Sequence, residues 1–286
     1  MTRRILLFGD SHADAIQAAI KCRRSKAIPV GLDARRVIKI KKVVGNPPSP
    51  RPHVLRRLGH RLRALIDDRP AATDGSLVVG DTTLDQFSAL ARRLQPDDVL
   101  ISVIGGNQYA VFSTIQHPKP FDFELPGDPL PSVAGDEELI PFRTLYDYFL
   151  TALRAGDGET LAHLRRSTRA RMLHLLAPPP KRDNDFIQRH HDTHFAAQGI
   201  GHLGVSSAEL RMKFWKLQKL AIGEICAELD IETVEPPKEA LDADGYLAPH
   251  YYAGDATHAN EAYGELVLEQ LETRFAFAPY DKAANG

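Results

Sequence analysis

Residues 77–108, LVVGDTTLDQFSALARRLQPDDVLISVIGGNQ, hold two apolar runs separated by a helical pattern. The runs are Leu77 to Val79 and Val99 to Ile104, each followed by glycine. Apolar residues recur between them at the spacing of one helix face: Leu84, Phe87, Ala91 and Leu94. Short apolar runs bounded by turn residues are typical of strands buried on both faces, and parallel strands need such a helical crossover. The pattern therefore predicts a parallel sheet covered by helices.

The rest of the chain repeats this alternation. Further strands are predicted at Ile5 to Phe8, at ARMLHLLAP (170–178) and at IETVEP (231–236). Helices are predicted at about 13–22, after the capping-box pair Ser206 and Glu209, and along a C-terminal face containing Tyr263, Val267 and Leu271. We count five principal strands and no internal repeat. One α/β domain spanning residues 1–286 is therefore expected.

Two segments depart from this rhythm and are interpreted as insertions, at about 35–75 and 108–140. Residues 35–70 are rich in Arg and Lys around spaced leucines. This basic segment is either an amphipathic helix that packs its leucines inward or a surface for an anionic partner. Aromatic residues are sparse there, so nucleic acid is an unlikely partner. The aromatic residues in or just after the second insertion form either a substrate wall or a local core: Tyr109, Phe112, Phe121, Phe123, Tyr146 and Tyr148.

Composition excludes several classes of protein. The 286 residues are 43% apolar and carry a net charge of −1, as in ordinary globular proteins. Two cysteines, Cys22 and Cys226, are too few and too far apart for a disulfide framework or a zinc site. No signal-peptide core or membrane span is evident, so a cytoplasmic protein is expected. His190, His191 and His194 could gather a metal only if their loop folded back, and we expect no metal or cofactor.

Ser11 follows the first predicted strand in the run Gly9-Asp10-Ser11. A serine there is either the cap of the next helix or a nucleophile at the carboxyl edge of the sheet. A nucleophilic serine needs a base that is oriented by a third group. Asp255 and His258 lie three residues apart in a polar loop before the last helix, where Asn260 is the expected cap. Ser11, His258 and Asp255 therefore form a candidate triad.

Donors for an oxyanion are available after two other strands. VVGDTT ends in a turn with a backbone N–H at Gly80, and VIGGNQ supplies the side-chain amide of Asn107. Each residue could alternatively be an ordinary turn residue. Their order along the chain, each at a strand end, favours one shared site with Ser11.

The blocks Gly-Asp-Ser, Gly-Asp-Thr-Thr, Gly-Gly-Asn and Asp-x-x-His occur in this order over nearly the whole chain, which resembles the GDSL or SGNH hydrolases. The resemblance implies a three-layer α/β/α sandwich with a five-stranded parallel sheet, flavodoxin-like, and no metal. It implies that Ser11 is the nucleophile and that its backbone N–H joins Gly80 and Asn107 in the oxyanion hole. His258 would be the base and Asp255 its orienting partner.

Two positions depart from the pattern of these hydrolases. Gln108 replaces the usual aspartate after Asn107, and His12 replaces the usual leucine after the serine. Neither change removes a group from the mechanism. The sequence therefore predicts a serine esterase that acts through an acyl-enzyme, on a short acyl or O-acetyl group of a carbohydrate. An acyltransferase with the same triad and a non-catalytic binding module with the same fold are the alternatives.

Overall fold

The computed structural model describes residues 4–28, 30, 36–40, 42–44, 77–128 and 137–275. Most of the first predicted insertion, and with it the spaced leucines of the basic segment, lies outside these residues. Both predictions for that segment, inward packing and contact with an anionic partner, therefore remain predictions.

A five-stranded parallel sheet forms the centre of the fold, in the order β2-β1-β5-β8-β9. Its strands are β1 (Ile5–Gly9), β2 (Val37–Ile38), β5 (Val99–Val103), β8 (Arg171–Leu175) and β9 (Glu232–Val234). Neighbouring strands are parallel throughout, with Ile5 beside Val99 and Val99 beside Arg171. The predicted α/β class with a five-stranded parallel sheet is confirmed. The order is that of flavodoxin-like folds, which place sites at the carboxyl ends of the strands.

Helices cover both faces of the sheet. On one face, Leu7, Ile101 and Leu173 pack with α1 (Asp14–Ser25) and α10 (Glu261–Arg274). On the other, Phe8, Leu100 and Met172 pack with the remaining long helices. These are α2 (Leu84–Ala91), α4 (Phe142–Leu153), α5 (Glu159–Ser167) and α9 (Ala208–Glu228), with a π-helical turn (Arg154–Gly158) joining α4 to α5. Successive strand residues alternate between the two cores because a strand repeats every two residues.

The run Leu77–Val79, predicted as a strand of the main sheet, lies outside it. As β4 it pairs antiparallel with β3 (Lys42–Val44) in a separate two-stranded sheet. The second position of the main sheet belongs to β2, whose two residues are too short to show a periodic pattern. The chain still returns to the main sheet after β4, since the backbone N–H groups of Asp81 and Thr82 donate to Lys39 O. Gly80 therefore lies beside the continuation of β2.

The aromatic residues in or just after the second predicted insertion lie in the core or pack partly exposed against it, which is closer to the local-core interpretation. Tyr109 and Phe123 are buried, and Phe112, Phe149 and Phe214 pack ring against ring. This region contains α3 (Asn107–Ser113) and a second small sheet of β6 (Phe121–Asp122) and β7 (Glu138–Leu139). Its residues 129–136 lie outside the described residues.

Three short helices occupy the long loop predicted after β8: α6 (Asn184–Arg189), α7 (Thr193–Ala197) and α8 (Ile200–Leu203). The cap of α9 is Ser207, whose side chain accepts the N–H of Leu210, and not the predicted Ser206. Ser206 instead donates to the carbonyl of Ser113. Asn260 caps α10 as predicted, accepting the N–H of Tyr263. None of the helices in the described ranges is long and apolar enough to cross a membrane.

Candidate active site

Ser11 begins a short 3-10 turn (Ser11–Ala13) between β1 and α1. The residue at the cap position of this turn is Asp10 and that of α1 is Ala13, and neither cap uses a side-chain hydrogen bond. Ser11 is therefore not the helix cap that one interpretation of the sequence proposed. Gly9 permits this tight turn, because a Cβ there would meet the Ala13 Cβ at 2.6 Å and the Val103 carbonyl at 2.8 Å. The Ser11 N–H lies in the first turn, where no intrahelical acceptor exists.

Asp255 and His258 form a hydrogen-bonded pair in the loop before α10. His258 Nδ1 lies 3.0 Å from Asp255 Oδ2. The other oxygen, Oδ1, accepts the backbone N–H groups of Thr257 at 2.9 Å and of His258 at 2.7 Å. Oδ1 therefore holds the backbone of the loop, and Oδ2 holds the imidazole.

The same contacts determine the charge of Asp255. Burial alone would raise the pKa of this carboxyl group. The hydrogen bonds from the His258 side chain, the His258 N–H and the Thr257 N–H outweigh burial and hold the pKa well below its usual range. Asp255 is therefore a carboxylate at neutral pH, as an orienting partner of a base must be.

The second ring nitrogen of His258, Nε2, is not engaged by Asp255. Its Nε2 is buried and has no hydrogen-bond partner within the described part of the chain. An unpaired buried nitrogen is costly unless a ligand or a reacting group pairs with it. With Nδ1 engaged by Asp255, Nε2 is the atom that can accept a proton.

His12, the residue after Ser11, contacts His258 directly. The two ring centroids are 5.0 Å apart. His12 is 94% buried, and neither of its ring nitrogens makes a hydrogen bond of standard geometry to any described residue. Burial, followed by the neighbouring His258, lowers the pKa of His12 to about 4, against the opposing carboxylates of Asp10 and Asp255. His12 is therefore neutral at pH 7, and it links the Ser11 turn to the His258 loop.

The turn after β5 also lies close to His12. Gly105 and Gly106 both have positive φ, and the N–H of Gly105 donates to Asp10 Oδ2 at 3.2 Å. A Cβ at Gly106 would lie 2.8 Å from the His12 ring and 2.7 Å from the Ala177 Cβ. Asn107 is the first residue of α3 and follows this turn directly. Asn107 is therefore two residues after the Gly105 N–H that donates to Asp10, and one residue after Gly106, which lies against His12.

Gly80 lies in the turn after β4, with φ +132°. The backbone N–H of its neighbour Asp81 donates to the Lys39 carbonyl, and the backbone N–H of Lys39 donates to Asp81 Oδ2. The Lys39 Nζ in turn lies 2.5 Å from Asp14 Oδ1 at the start of α1. These contacts put the Gly80 turn beside the first turn of the helix that follows Ser11.

The other residues singled out in the sequence are Gln108 and the three histidines of the loop after β8. Oε1 of Gln108 is buried with no partner among the described residues, so the replacement of aspartate at this position leaves a polar atom unsatisfied. His190 and His191 each use Nδ1 on a backbone oxygen, of Phe186 and Gln188 respectively. His194 lies next to Gln198, at 2.5 Å between its Nε2 and the amide nitrogen. The three histidines are therefore held by local contacts.

One buried residue at this site was missed by the sequence reasoning. Lys181 follows three prolines and places its Nζ 2.8 Å from the carbonyl oxygen of Ala253, behind the Asp255 loop. A lysine in a loop gives no signal of burial, because lysine is among the residues most often exposed.

Several solved structures are similar to this chain over almost its full length. Est24, a carbohydrate acetylesterase from Sinorhizobium meliloti, is 12% identical, with 96% of this chain and 99% of that chain covered and a TM-score of 0.38. A putative arylesterase from Agrobacterium tumefaciens strain C58 has the same identity, coverage and TM-score. No family model matches the chain, and no curated protein is significantly similar to it. The chemistry of the site therefore has to be argued from the residues of this chain.

Proposed function

We propose that this protein is a serine esterase in which Ser11 is the nucleophile, His258 the base and Asp255 the group that orients the base. The observation that carries the proposal is the state of His258. Its Nδ1 is bound to the Asp255 carboxylate at 3.0 Å, while its buried Nε2 has no partner among the described residues. An imidazole held in one tautomer with the opposite nitrogen free is the form that removes a proton from a hydroxyl.

In the first half-reaction, His258 Nε2 takes the proton of the Ser11 hydroxyl as Oγ attacks the ester carbonyl. The tetrahedral intermediate carries its negative charge on the former carbonyl oxygen. The N–H of Ser11, the N–H of Gly80 and the side-chain amide of Asn107 are the proposed donors to that oxygen. Collapse of the intermediate expels the alcohol, which receives the proton from His258.

In the second half-reaction, His258 removes a proton from water, and the resulting hydroxide equivalent attacks the acyl group on Ser11. The acid leaves and Ser11 recovers its proton. Asp255 stays ionised throughout, which its lowered pKa supports, and stabilises the imidazolium in both halves.

We further propose that the acyl group is short, with acetyl on a carbohydrate as the first substrate class to test. A small, mostly apolar pocket adjoins Gly106, which itself contacts His12. Its apolar side chains are Ile104, Leu153, Leu176, Ala177, Trp215 and Ile222, and its polar members are His174, Gln218 and Lys219. A mostly apolar lining next to the site favours a small uncharged acyl group over a charged one.

The test is steady-state hydrolysis of p-nitrophenyl esters from acetyl to octanoyl. Ser11→Ala and His258→Ala are expected to lower kcat by about 10³-fold or more. Ser167→Ala is the matched control, because that hydroxyl donates to His163 O at the end of α5, away from the site, and its loss should leave kcat unchanged. Equal rates for Ser11→Ala and the wild type would overturn the proposal. Faster acyl transfer to added sugar hydroxyls than to water would identify the acyltransferase instead.

A further inference from the structure

The side chain of Lys181 is completely buried, outside the residues that would touch a substrate. Its ammonium group donates to the carbonyl oxygens of Ala253 and Asp255, which flank Gly254. The same nitrogen lies 3.9 Å from Asp255 Oδ1. Three oxygens of the short segment 253–255 are therefore gathered around one cation.

Aromatic rings complete the surroundings of this cation. Nζ lies 4.8 Å from the ring centroid of Phe186 and 5.0 Å from that of Tyr252. A buried ammonium is costly without acceptors, and ring faces stabilise it where further oxygens are missing. Burial lowers the pKa of Lys181 to about 8, and the Asp255 carboxylate opposes that effect. The charge is thus retained at neutral pH in a site built around it.

The backbone of Lys181 is itself fixed to the core. Arg211, buried on α9, donates through Nη2 to the carbonyl of Lys181 at 3.0 Å, to that of Arg182 at 3.2 Å and to Asn184 Oδ1 at 2.7 Å. Its Nη1 donates to the Ser206 carbonyl. The lysine therefore connects a rigid helix to the loop that carries Asp255.

This connection constrains the direction of the Asp255 side chain. With its carbonyl held by Lys181 and its Oδ1 held by the N–H groups of Thr257 and His258, the carboxylate has only Oδ2 left to face the imidazole. We propose that Lys181 is a positioning residue for the Asp255–His258 pair. Its ammonium fixes the two carbonyls beside Gly254 and so keeps the Asp255 carboxylate aligned with His258 Nδ1. The inference rests on the proposed esterase function where activity is the readout.

The first test is kinetic. Lys181→Met is expected to lower kcat about 10- to 100-fold, the size of loss that a displacement of about 1 Å causes, with KM changed less than about twofold. In an Asp255→Asn background, Lys181→Met should lower kcat by less than a further factor of about two. The reason is that both residues act through the Asp255–His258 hydrogen bond. A purely structural role predicts equal losses in both backgrounds. Equal losses, or wild-type kcat in Lys181→Met, would overturn the proposal.

Lys213→Met is the matched control. Lys213 is also completely buried and forms an ion pair with Asp122 at 2.7 Å, and among the described residues it makes no hydrogen bond or ion pair to the Asp255 loop. Its loss should lower thermal stability while leaving kcat of the folded protein within about twofold of wild type. If Lys181→Met does not fold, Lys181→Gln retains a donor for the carbonyls and should show a smaller loss of kcat.

The second test does not depend on esterase activity. The proton between His258 Nδ1 and the Asp255 carboxylate should give a far-downfield proton resonance, assigned by its disappearance in His258→Gln. Lys181→Met is expected to shift or remove this resonance, and Lys213→Met to leave it in place. An unchanged resonance in Lys181→Met would overturn the positioning role. If Ser11→Ala were as active as the wild type, the proposed function would fail while this resonance still decided the role of Lys181.

Discussion

The imidazole rings of His12 and His258 lie 5.0 Å apart between centroids, at an interplanar angle of 50°. The two rings have opposite environments. His258 is hydrogen-bonded to a carboxylate through Nδ1, whereas neither nitrogen of the buried His12 makes a hydrogen bond of standard geometry to a described residue. A positive charge on His12 would lie beside the proposed base, so the site depends on His12 remaining neutral.

The buried state of His12 predicts a loss of stability in acid. Its pKa falls from 6.5 to about 4 on folding, mainly because of burial, so between these values the unfolded chain binds more protons than the folded protein. Stability from this residue is therefore complete above about pH 6.5 and is lost as the pH falls toward 4. Between pH 7 and pH 5 the loss should be about 2 kcal/mol.

Urea unfolding of the wild type and of His12→Leu at pH 7 and pH 5 measures this loss of stability. The free energy of unfolding of the wild type should fall by about 2 kcal/mol more than that of the variant over this interval. His174, whose pKa is also lowered to about 4 by burial, contributes equally in both proteins and cancels. An identical pH dependence in the two proteins would show that His12 is not buried in its neutral form.

Gly106→Ala is expected to damage the site beyond its effect on the backbone. Gly106 has φ +97°, and a Cβ there would press on the His12 ring at 2.8 Å and on Ala177 at 2.7 Å. Gly245, with φ +86° and nothing within 4 Å of such a Cβ, is the matched control. Both changes should cost about 1 to 2 kcal/mol for the left-handed backbone.

Only Gly106→Ala should cost about 1 to 3 kcal/mol more and lower kcat at least about tenfold, because His12 must move. Chemical denaturation and p-nitrophenyl acetate hydrolysis check both expectations. Full activity in Gly106→Ala would mean that the His12 contact has no bearing on catalysis.

Gly264→Ala tests the packing that supports the His258 loop. Gly264 lies on α10, and a Cβ there would come within 2.0 Å of the Ala15 carbonyl oxygen on α1. The backbone cannot yield locally, so the two helices must separate, at a cost of about 3 kcal/mol. Gly223→Ala on α9 meets nothing within 4 Å and should instead stabilise the protein by about 0.5 to 1 kcal/mol. Equal midpoints for the two variants in thermal unfolding would contradict the close contact between α1 and α10.

The strands with strong apolar runs were predictable from the sequence. Ile5–Gly9, Val99–Val103 and Arg171–Leu175 form the middle of the sheet, where burial on both faces demands such runs. The edge strand Val37–Ile38 was not predictable, since two residues carry no period. Because Val37–Ile38 could not be recognised as a strand, its place in the main sheet was assigned to the apolar run Leu77–Val79, which instead pairs with Lys42–Val44.

The candidate site shows the same division. Ser11, Asp255 and His258 were predicted as a triad because their residue types and order carry a chemical signature, and the structure adds the Asp255–His258 hydrogen bond. Lys181 was not, because its importance comes from burial and from backbone carbonyls of residues more than 70 positions away in sequence. Contacts to the backbone leave no pattern in side-chain identity. Such supporting residues can be found only after the chain has been folded.

The chemistry proposed for this site depends most on the formation of an acyl-enzyme at Ser11. The most direct measurement is the intact mass of the protein after brief reaction with p-nitrophenyl acetate and acid quenching, with peptide mapping to locate the modified residue. We expect one acetyl group per chain, on Ser11, matched in amount by the burst of p-nitrophenol and missing from Ser11→Ala. An acetyl group on another residue, or a burst of equal size in Ser11→Ala, would contradict it.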